Sequence, residues 1–346
     1  MTAAGGPVAG GEASHGAGPD LLLQQYRAAH ARAILVDRSN LGRLAFQGKD
    51  SLDLLHRLTT NNIKSLRSGE GIAAVFATPK GRILDLVTLH LAEERLLCLT
   101  GAGRAAPIRD WIERYTFREE VRVEDLSTSH GTLGLFGPAA ASTIADLFGE
   151  AAAQSPLHAP SVVEAGGSQA ILAPTYPLAG GGFHLTAEAE ALPAMRERIL
   201  GGIRGVTQAG EECLEVLRIE AGRPAAGREL TEEYNPWEAR LDDAISLSKG
   251  CYVGQEVVAR LNTYKKVSKR LVSLAIPGKA SPPGGAILAR RGETTGLLTS
   301  AAAVPGEGRA VGLGYVRDED ARDGVELEVR SPGGASWQAT IVEGPR

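Results

Sequence analysis

The first third of the chain alternates between helical and strand-like hydrophobic patterns. Apolar residues recur at helical spacing from Asp20 to about residues 37–39, and a second helical pattern starts at Asp50. Between them, Leu44 and Phe46 alternate as in a strand. Three apolar runs separated by short turns, at 72–77, 83–91 and 95–100, predict a meander of three strands. A helix at 108–115 and a further strand at 121–123 complete this unit.

A second unit begins at His130. Its patterns suggest a β-α-β-β-α order, which predicts a ferredoxin-like sandwich with residues 174–182 as a long glycine-rich loop. Its strands and helices are expected at 133–136, 139–148, 161–164, 169–173, 183–186 and 192–199. The next helix runs from about Glu211 to Ala221 and stops at Gly222.

The chain after Leu271 consists of short apolar runs separated by Gly and Pro turns. Such spacing predicts a small β-barrel or sandwich. The six strands are expected at 271–276, 286–288, 296–300, 310–316, 326–330 and 337–342.

Composition narrows the class of protein. A chain of 346 residues with 43% apolar residues is expected to fold into two or three domains, while Gly- and Ala-rich residues 1–19 are predicted to form a disordered tail. The net charge of -4 argues against nucleic acid as the main partner, so direct RNA binding is not expected. No apolar run is long enough to span a membrane, and we expect a cytoplasmic protein.

Cysteine and histidine spacing gives no metal site. Cys98, Cys213 and Cys251 contain no C-x-x-C pair, and the seven histidines lack metal-ligand spacing, so no permanently bound metal is expected. Cys98 and Cys213 lie in apolar patterns and are predicted to pack in the core.

Residues 249–256, K-G-C-Y-V-G-Q-E, stand out as a glycine-rich loop that opens a helix. Unpaired amides at the helix start, the helix dipole and the neighbouring Lys249 would each favour the thiolate of Cys251. The alternative is a buried cysteine that acts as a small apolar residue.

Two further features are candidates for chemistry. Asp85 lies inside an apolar strand, where a buried carboxylate needs a partner or a task, although strand alternation could also turn it to solvent. Residues 260–270 contain five cations and no acid, which suits a ligand with carboxylates or phosphates, or alternatively a solvated face.

These residues together resemble the folate-binding YgfZ family, which includes mitochondrial iron–sulfur cluster assembly factors and is a branch of the glycine-cleavage T-protein (aminomethyltransferase) superfamily. Residues 249–256 match the signature K-G-C-[FY]-x-G-Q-E at every position. Supporting segments lie at 58–61, 80–82, 135–138, 218–224, 235–238, 299–300 and 314–316.

The resemblance implies an α+β protein with three domains in a ring around a central folate pocket. We expect a discontinuous folate-binding domain (20–126 with 223–270), a ferredoxin-like domain (127–222) and a C-terminal barrel (271–346). It implies tetrahydrofolate as ligand and a monomer. Cys251 and Asp85 are the expected catalytic residues, and the expected folate contacts are Lys249, Tyr252, Gln255, Glu256, Arg223, Glu220, His184 and Arg260.

The chain departs from the aminomethyltransferases at three places, one of which is Cys251, where they have the segment K-x-D-F-I-G beside the pocket. Their G-G-I-x-D-D segment aligns with residues 81–86, where Leu86 replaces the second carboxylate and Asp85 keeps the first. Their pterin-holding Glu aligns with His184, and a neutral imidazole lacks the two acceptors of a carboxylate.

Three functions follow as hypotheses. The first is a folate-binding accessory protein in iron–sulfur cluster assembly or repair, with Cys251 as a transient cluster ligand or as a redox or nucleophilic group beside bound folate. Because one cysteine cannot hold a cluster, a cluster role needs a partner protein, a second subunit or a small thiol. The second is a folate-dependent one-carbon transferase with Asp85 as general base or electrostatic anchor. The third is a tRNA-modification factor, acting through residues 260–270 or through a cluster-containing client enzyme.

Overall fold

The computed structural model describes residues 18–202, 204–264 and 266–343. The tail predicted at 1–19 lies outside these ranges except for Gly18 and Pro19, and Pro19 already begins the first helix. The helices are α1 Pro19–Ala31, α2 Ser51–Leu58, α3 Ala105–Arg114, α4 Ala140–Phe148, α5 Glu150–Ala153, α6 Leu192–Leu200, α7 Glu211–Glu220 and α8 Gln255–Thr263. Among the described helices, none is long and apolar enough to cross a membrane.

Strands make up three sheets. In chain order they are β1 Ile34–Asp37, β2 Leu41–Gln47, β3 Glu70–Ala77, β4 Ile83–Ala92, β5 Arg95–Ala102, β6 Arg122–Asp125, β7 His130–Phe136, β8 Ser161–Ala165, β9 Ser168–Leu178, β10 Gly181–Glu188, β11 Thr207–Ala209, β12 Lys269–Pro277, β13 Ile287–Arg290, β14 Glu293–Ala303, β15 Arg309–Arg317, β16 Glu326–Arg330 and β17 Ser336–Val342.

The first sheet has the order β3-β4-β5-β2-β6 and is antiparallel, which confirms the predicted meander. Successive residues of β4 point to opposite faces. Asp85 and Val87 point to the face covered by α2 and α3, where Val87 packs with Leu54 and Ile108. Leu86 points to the other face, toward the rest of the molecule.

The second sheet has the order β11-β1-β7-β10-β9-β8. The predicted helix over residues 34–37 is wrong, because α1 ends at Ala31 and β1 pairs with β7 and β11. Ile34, Leu35 and Val36 are all buried, and a strand buried on both faces lacks the alternation that marks strands in sequence. β1 thus joins the sheet of β7 although it precedes the predicted start of the second domain. The division into domains stays a prediction.

The long loop predicted at 174–182 is also wrong. β9 continues to Leu178 and turns through Ala179 and Gly180, both at positive φ, into β10. β8 pairs with β9 only as far as Leu172, so the missing N–H groups of Pro174 and Pro177 interrupt no ladder on that side. Because its prolines and glycines lie at a sheet edge, this segment has the amino-acid composition of a loop although most of it is a strand.

The C-terminal strands close into a barrel in the order β12-β15-β14-β13-β16-β17, which confirms the predicted barrel and the α+β class. Its interior has a separate apolar core. A larger core joins the three sheets and includes residues of α1, β1, β3, α7 and β15. Within it, the rings of Tyr234 and Tyr315 stack with centroids 3.4 Å apart, so the segment before α8 packs directly on the barrel.

Candidate functional site

The K-G-C-Y-V-G-Q-E loop precedes α8, and the predicted loop-to-helix arrangement is confirmed. Gly254, the residue before the helix, has φ of 84°, a conformation that glycine adopts without strain. A Cβ at this position would lie 2.4 Å from the carbonyl oxygen of Thr78 in the turn between β3 and β4. Glycine is required here because the loop is pressed against that turn.

Lys249 anchors the loop to the end of α2. Its ammonium group donates to the carbonyl oxygens of His56 and Thr59, the latter at 2.6 Å, and lies 4.8 Å from the centre of the Tyr252 ring. Burial lowers the pKa of Lys249 to about 7. The hydrogen bonds of Lys249 thus go to carbonyls at the negative end of a helix rather than to a thiol.

Cys251 is exposed, which decides between the two alternatives left open by the sequence. It lies four positions before the first residue of α8, so the predicted contact between its thiol and the amides at the helix start is not observed. Cys98 and Cys213 are buried, as predicted. Burial raises the pKa of Cys213 to about 12, and neither of these two thiols is available to a partner.

Asp85 is fully buried rather than turned to solvent. Its Oδ2 accepts a hydrogen bond of 2.8 Å from the Gly101 amide, whereas its Oδ1 has no partner among the described residues. Arg104 donates through Nη2 to the Leu84 carbonyl, and its buried Nε is likewise unpartnered within those ranges. Burial raises the pKa of Asp85 to about 7, although the Gly101 amide and Arg104 act in the opposite direction.

The two faces of β4 explain the departure from the D-D pattern. Asp85 faces α3, and Leu86 packs against the core that joins the three sheets. The replaced carboxylate is therefore the one that would face the centre of the molecule. The loop after α7 passes near Asp85, since a Cβ at Gly101 would lie 2.5 Å from Ala226 and 2.8 Å from Asp85.

A polar cluster lies between the first two sheets. It consists of Tyr176, Arg223, Asp243, His158 and His184, and we call it the inter-sheet cluster. Tyr176 donates a hydrogen bond of 2.5 Å to Asp243, and the Arg223 guanidinium lies 4.1 Å from the Tyr176 ring centre. The His158 ring stands edge-on to Tyr176 with centroids 4.9 Å apart.

Several groups of the inter-sheet cluster lack partners. Within the described ranges, the buried Nε of Arg223 and both ring nitrogens of His158 make no hydrogen bond. Burial lowers the pKa of His158 and that of His184 to about 3, so both imidazoles are neutral at pH 7. An unsatisfied buried polar group is costly, so these atoms are suited to receive a polar ligand.

His184 extends the inter-sheet cluster along β10. It stands edge-on to Phe136 with centroids 6.0 Å apart and lies within electrostatic reach of Arg38. It is surrounded by protein but keeps some accessible surface. Among the described residues, no group of three or more His, Cys, Asp or Glu is arranged to hold a metal ion.

The other predicted folate contacts lie elsewhere. Glu220 accepts hydrogen bonds from Tyr26 at 2.8 Å and Arg309 at 3.1 Å, so it joins α1 to the barrel. Tyr252 is buried in a small apolar cluster beside α8. Gln255 begins α8, while Glu256 and Arg260 line a groove on its outer face.

Sequence reasoning missed most of the inter-sheet cluster. Tyr176 fell in the predicted loop, and His158 gave no signal. Asp243 stood beside Asp242 in sequence, but such adjacency does not indicate where either side chain lies. Its approach to Tyr176, 67 positions away, exists only in the folded chain.

The fold and site define an α+β protein with a C-terminal barrel and a polar cluster between its first two sheets. Residues 19–249 match the family model of the GCVT N-terminal domain, and residues 269–346 match that of the glycine cleavage T-protein C-terminal barrel domain. The chain belongs to this glycine cleavage T-protein family.

Relatives and a solved structure agree with this assignment. The chain is 30% identical over 306 residues to a chloroplastic protein of Arabidopsis thaliana named provisionally as a transferase, covering 86% of this chain and 68% of the relative. It is 28% identical over 309 residues to an aminomethyltransferase of Thermosynechococcus vestitus, covering 89% of this chain and 83% of the relative. The structure of aminomethyltransferase T from the glycine cleavage system of Bartonella henselae superposes on this chain with a TM-score of 0.81 at 24% sequence identity. The superposition covers 94% of this chain and 90% of the other, and it supports the fold.

Proposed function

We propose that this protein binds a tetrahydrofolate at the inter-sheet cluster and acts as a folate-dependent one-carbon transferase. The observation that carries the proposal is the set of buried, unpartnered nitrogens of Arg223 and His158 beside Tyr176. A folate offers carboxylates for an arginine and ring N–H groups and nitrogens for neutral imidazoles, so these residues fit it. Relatives named aminomethyltransferase support the same reaction class.

Asp85 is the proton-holding group in this proposal. A carboxyl with a pKa of about 7 holds or releases a proton near neutral pH, as a general acid or base must. The loop that carries Arg223 also passes near Asp85, because a Cβ at Gly101 would approach both Ala226 and Asp85. When bound, tetrahydrofolate supplies the nitrogen atoms that carry the one-carbon unit.

The experiment is titration calorimetry with tetrahydrofolate, followed by mass analysis of one-carbon products from an aminomethyl or methyl donor. We expect binding by the wild type, binding weakened roughly tenfold or more in Arg223→Gln by loss of a charged hydrogen bond, and turnover lost in Asp85→Asn with binding kept. Lys279→Gln, an exposed change of equal charge, is the control. Absence of binding by the wild type would contradict the proposal.

The second candidate is an accessory role in iron–sulfur cluster assembly or repair, which the narrower resemblance to the YgfZ family implies. The observation in its favour is the exposed thiol of Cys251. Because a cluster usually needs four such ligands, a partner protein must supply the others.

Its test is Cys251→Ser in cells that depend on this protein for cluster enzymes. The variant is expected to fold normally, since the residue is exposed, and to leave cluster enzymes inactive. Cys98→Ser, expressed at matched level, tests whether a change at a buried thiol has the same effect. Full rescue of the cluster enzymes by Cys251→Ser would exclude this role.

The remaining hypotheses stay predictions. A direct role in tRNA modification depends on the basic run at 260–270, of which Lys265 lies outside the described residues, and an indirect role depends on a cluster-containing client enzyme. The cytoplasmic location and the monomeric state are likewise expectations from sequence.

A further inference from the structure

A pocket of about 270 Å³ lies where the end of α7 meets the outer surface of the barrel. One wall is the last turn of α7, with Ile219 and Glu220, and the rim opposite carries Arg309 and Glu343. The floor is formed by the neighbouring strands β12, β15 and β17. We call this feature the barrel pocket, and the proposed one-carbon reaction makes no use of it.

The floor of the barrel pocket is apolar and made of small or medium side chains. Ser273 and Ala275 lie on the outward face of β12, whereas Leu274 between them points into the barrel core. On the adjacent strands their register partners are Val342 and Val311. Small residues at the centre of the floor leave the space, and only the Ser273 hydroxyl interrupts its apolar surface.

The carboxylate of Glu220 is only partly satisfied. Its Oε1 accepts hydrogen bonds from Tyr26 at 2.8 Å and Arg309 at 3.1 Å. Its Oε2 is buried and accepts no hydrogen bond from the described residues. The ring Nε2 of His30 lies 3.4 Å from Oε2 and is a charged partner only when it is protonated. A carboxylate oxygen without a donor is costly when buried, so Oε2 can accept a donor from a ligand.

The charges around the barrel pocket are mainly negative. Glu220 and Glu343 line it, and among the described lining residues Arg309 is the one cation. Arg309 is already paired with Glu307 at 2.7 Å and with Glu220 at 3.1 Å. Because α7 ends at Glu220, the negative end of its helix dipole lies here as well. These charges favour a cationic ligand over an anionic one.

The floor and the carboxylate together select one class of cation. A metal ion needs several oxygen or nitrogen ligands, and no such group occurs among the described residues. A protonated primary amine needs fewer, since its ammonium group can donate to Glu220 Oε2 and to the Ser273 hydroxyl. Its aliphatic chain would cover the apolar floor. A volume just below the roughly 300–1,000 Å³ of pockets for drug-sized ligands requires that the amine be small.

We propose that the barrel pocket binds a small aliphatic amine in its protonated form, with the ammonium group on Glu220 and the chain on the floor formed by β12, β15 and β17. This inference does not depend on the proposed one-carbon reaction. The ligand contacts α7 and the barrel at once, so its binding stabilises the folded contact between them.

The experiment is a titration of the full-length ¹⁵N-labelled protein with n-butylamine, n-butanol and butyrate at pH 7, followed by the amide NMR signals of residues 273–275 and 309–312. We expect saturable shifts with butylamine, at an affinity roughly tenfold or more above that of butanol, as a hydrogen bond to a charged group would give. Butyrate should leave these signals unchanged, and added salt should weaken the binding of butylamine.

Two variants separate the charge of the barrel pocket from its shape. Glu220→Gln removes the charge but keeps an oxygen for Tyr26, and it is expected to lower the affinity for butylamine to that for butanol. Ala275→Leu fills the floor and is expected to abolish the binding of both. Glu164→Gln, an exposed change from acid to amide on β8, is the matched control and should bind butylamine like the wild type.

Each other outcome contradicts the proposal. A wild type that shows no saturable shifts with butylamine does not bind an amine in the barrel pocket. Equal affinities for butylamine and butanol would show an apolar site that ignores the carboxylate, and tighter binding of butyrate would assign recognition to Arg309 instead. If a folded Ala275→Leu variant binds butylamine like the wild type, the amine lies elsewhere on the protein. These comparisons stand even if Glu220→Gln fails to fold.

Discussion

Asp85 is the residue whose chemistry depends most on its surroundings. It lies in a strand of apolar residues, and only one of its oxygens has a partner among the described residues, the Gly101 amide. One amide hydrogen bond does not replace the hydration that a carboxylate loses on burial, so the neutral form is favoured. At pH 7 the carboxyl is divided between both forms, which suits proton transfer.

The raised pKa of Asp85 predicts a pH-dependent cost to stability. Because the folded pKa of about 7 lies above the ordinary aspartate value of 3.8, folding takes up a proton between these values, and the contribution of Asp85 to stability falls as pH rises through that window. Asp85→Asn removes the ionisable group, and with it the stability lost as pH rises. Relative to wild type, the variant is expected to gain up to about 4 kcal/mol between pH 4 and pH 8, measured as the free energy of unfolding in urea.

Asp53→Asn is the control for that measurement. Asp53 has a pKa lowered by its hydrogen bond with Lys64, so its contribution is present at neutral pH and lost in acid. The control variant should therefore lose stability relative to wild type as pH rises, the opposite sign to Asp85→Asn. Parallel pH profiles for wild type and Asp85→Asn would show that the carboxyl is not desolvated.

At the scale of elements, the loop that opens α8 positions Cys251. Three contacts fix it: Gly254 against the Thr78 carbonyl, Lys249 on the end of α2, and the Val253 amide, which donates to the Arg57 carbonyl at 3.0 Å. The loop is thus held in one conformation although Cys251 itself is exposed. A fixed, exposed thiol suits a group that acts on a partner.

Gly254→Ala is expected to destabilise the protein more than Gly69→Ala. Both glycines have φ of 84°, so both variants pay about 1–2 kcal/mol of backbone strain. Only at Gly254 does the new Cβ meet a carbonyl oxygen, whereas Gly69 has open space. The additional cost at Gly254, about 1–3 kcal/mol for overpacking, is measured by urea unfolding. Equal urea midpoints for the two variants would mean that the loop moves to accommodate the Cβ at Gly254 without a cost in stability.

At the scale of the whole molecule, a buried ionic network joins α7 to the barrel. Glu229 accepts hydrogen bonds from Arg218 at 3.0 Å, Thr299 at 2.7 Å and Ser300 at 2.6 Å, and its side chain is fully buried. Arg218 and Glu229 belong to the segments that flank Arg223. The contact with the barrel thus supports the loop that carries a ligand-binding residue.

Glu229→Gln is expected to lower the free energy of unfolding by roughly 2–4 kcal/mol, because Arg218 loses its buried ion-pair partner and keeps Glu215 as its remaining acidic partner among the described residues. The measurement is urea unfolding followed by fluorescence of the tryptophans. Glu328→Gln, at a partly exposed pair with Arg330 on the barrel strand β16, should leave the midpoint unchanged. If both variants behave alike, the network does not hold the barrel to α7.

Local patterns predicted much of the fold. The meander, α7 and the barrel were predicted because alternation, helical periodicity and turn residues act within a few positions of the chain. β1 and the end of β9 were missed, because a strand buried on both faces and a proline-containing sheet edge carry no such local signal.

The sequence by itself determined the α+β class, the barrel, the exposed-or-buried alternatives for Cys251 and Asp85, and the family resemblance carried by residues 249–256. Only the tertiary structure decided those alternatives, because the covering of a strand face depends on which elements pack against it. It alone brought Tyr176, Arg223 and Asp243 together, since their contact results from the pairing and packing of whole sheets rather than from neighbouring residues.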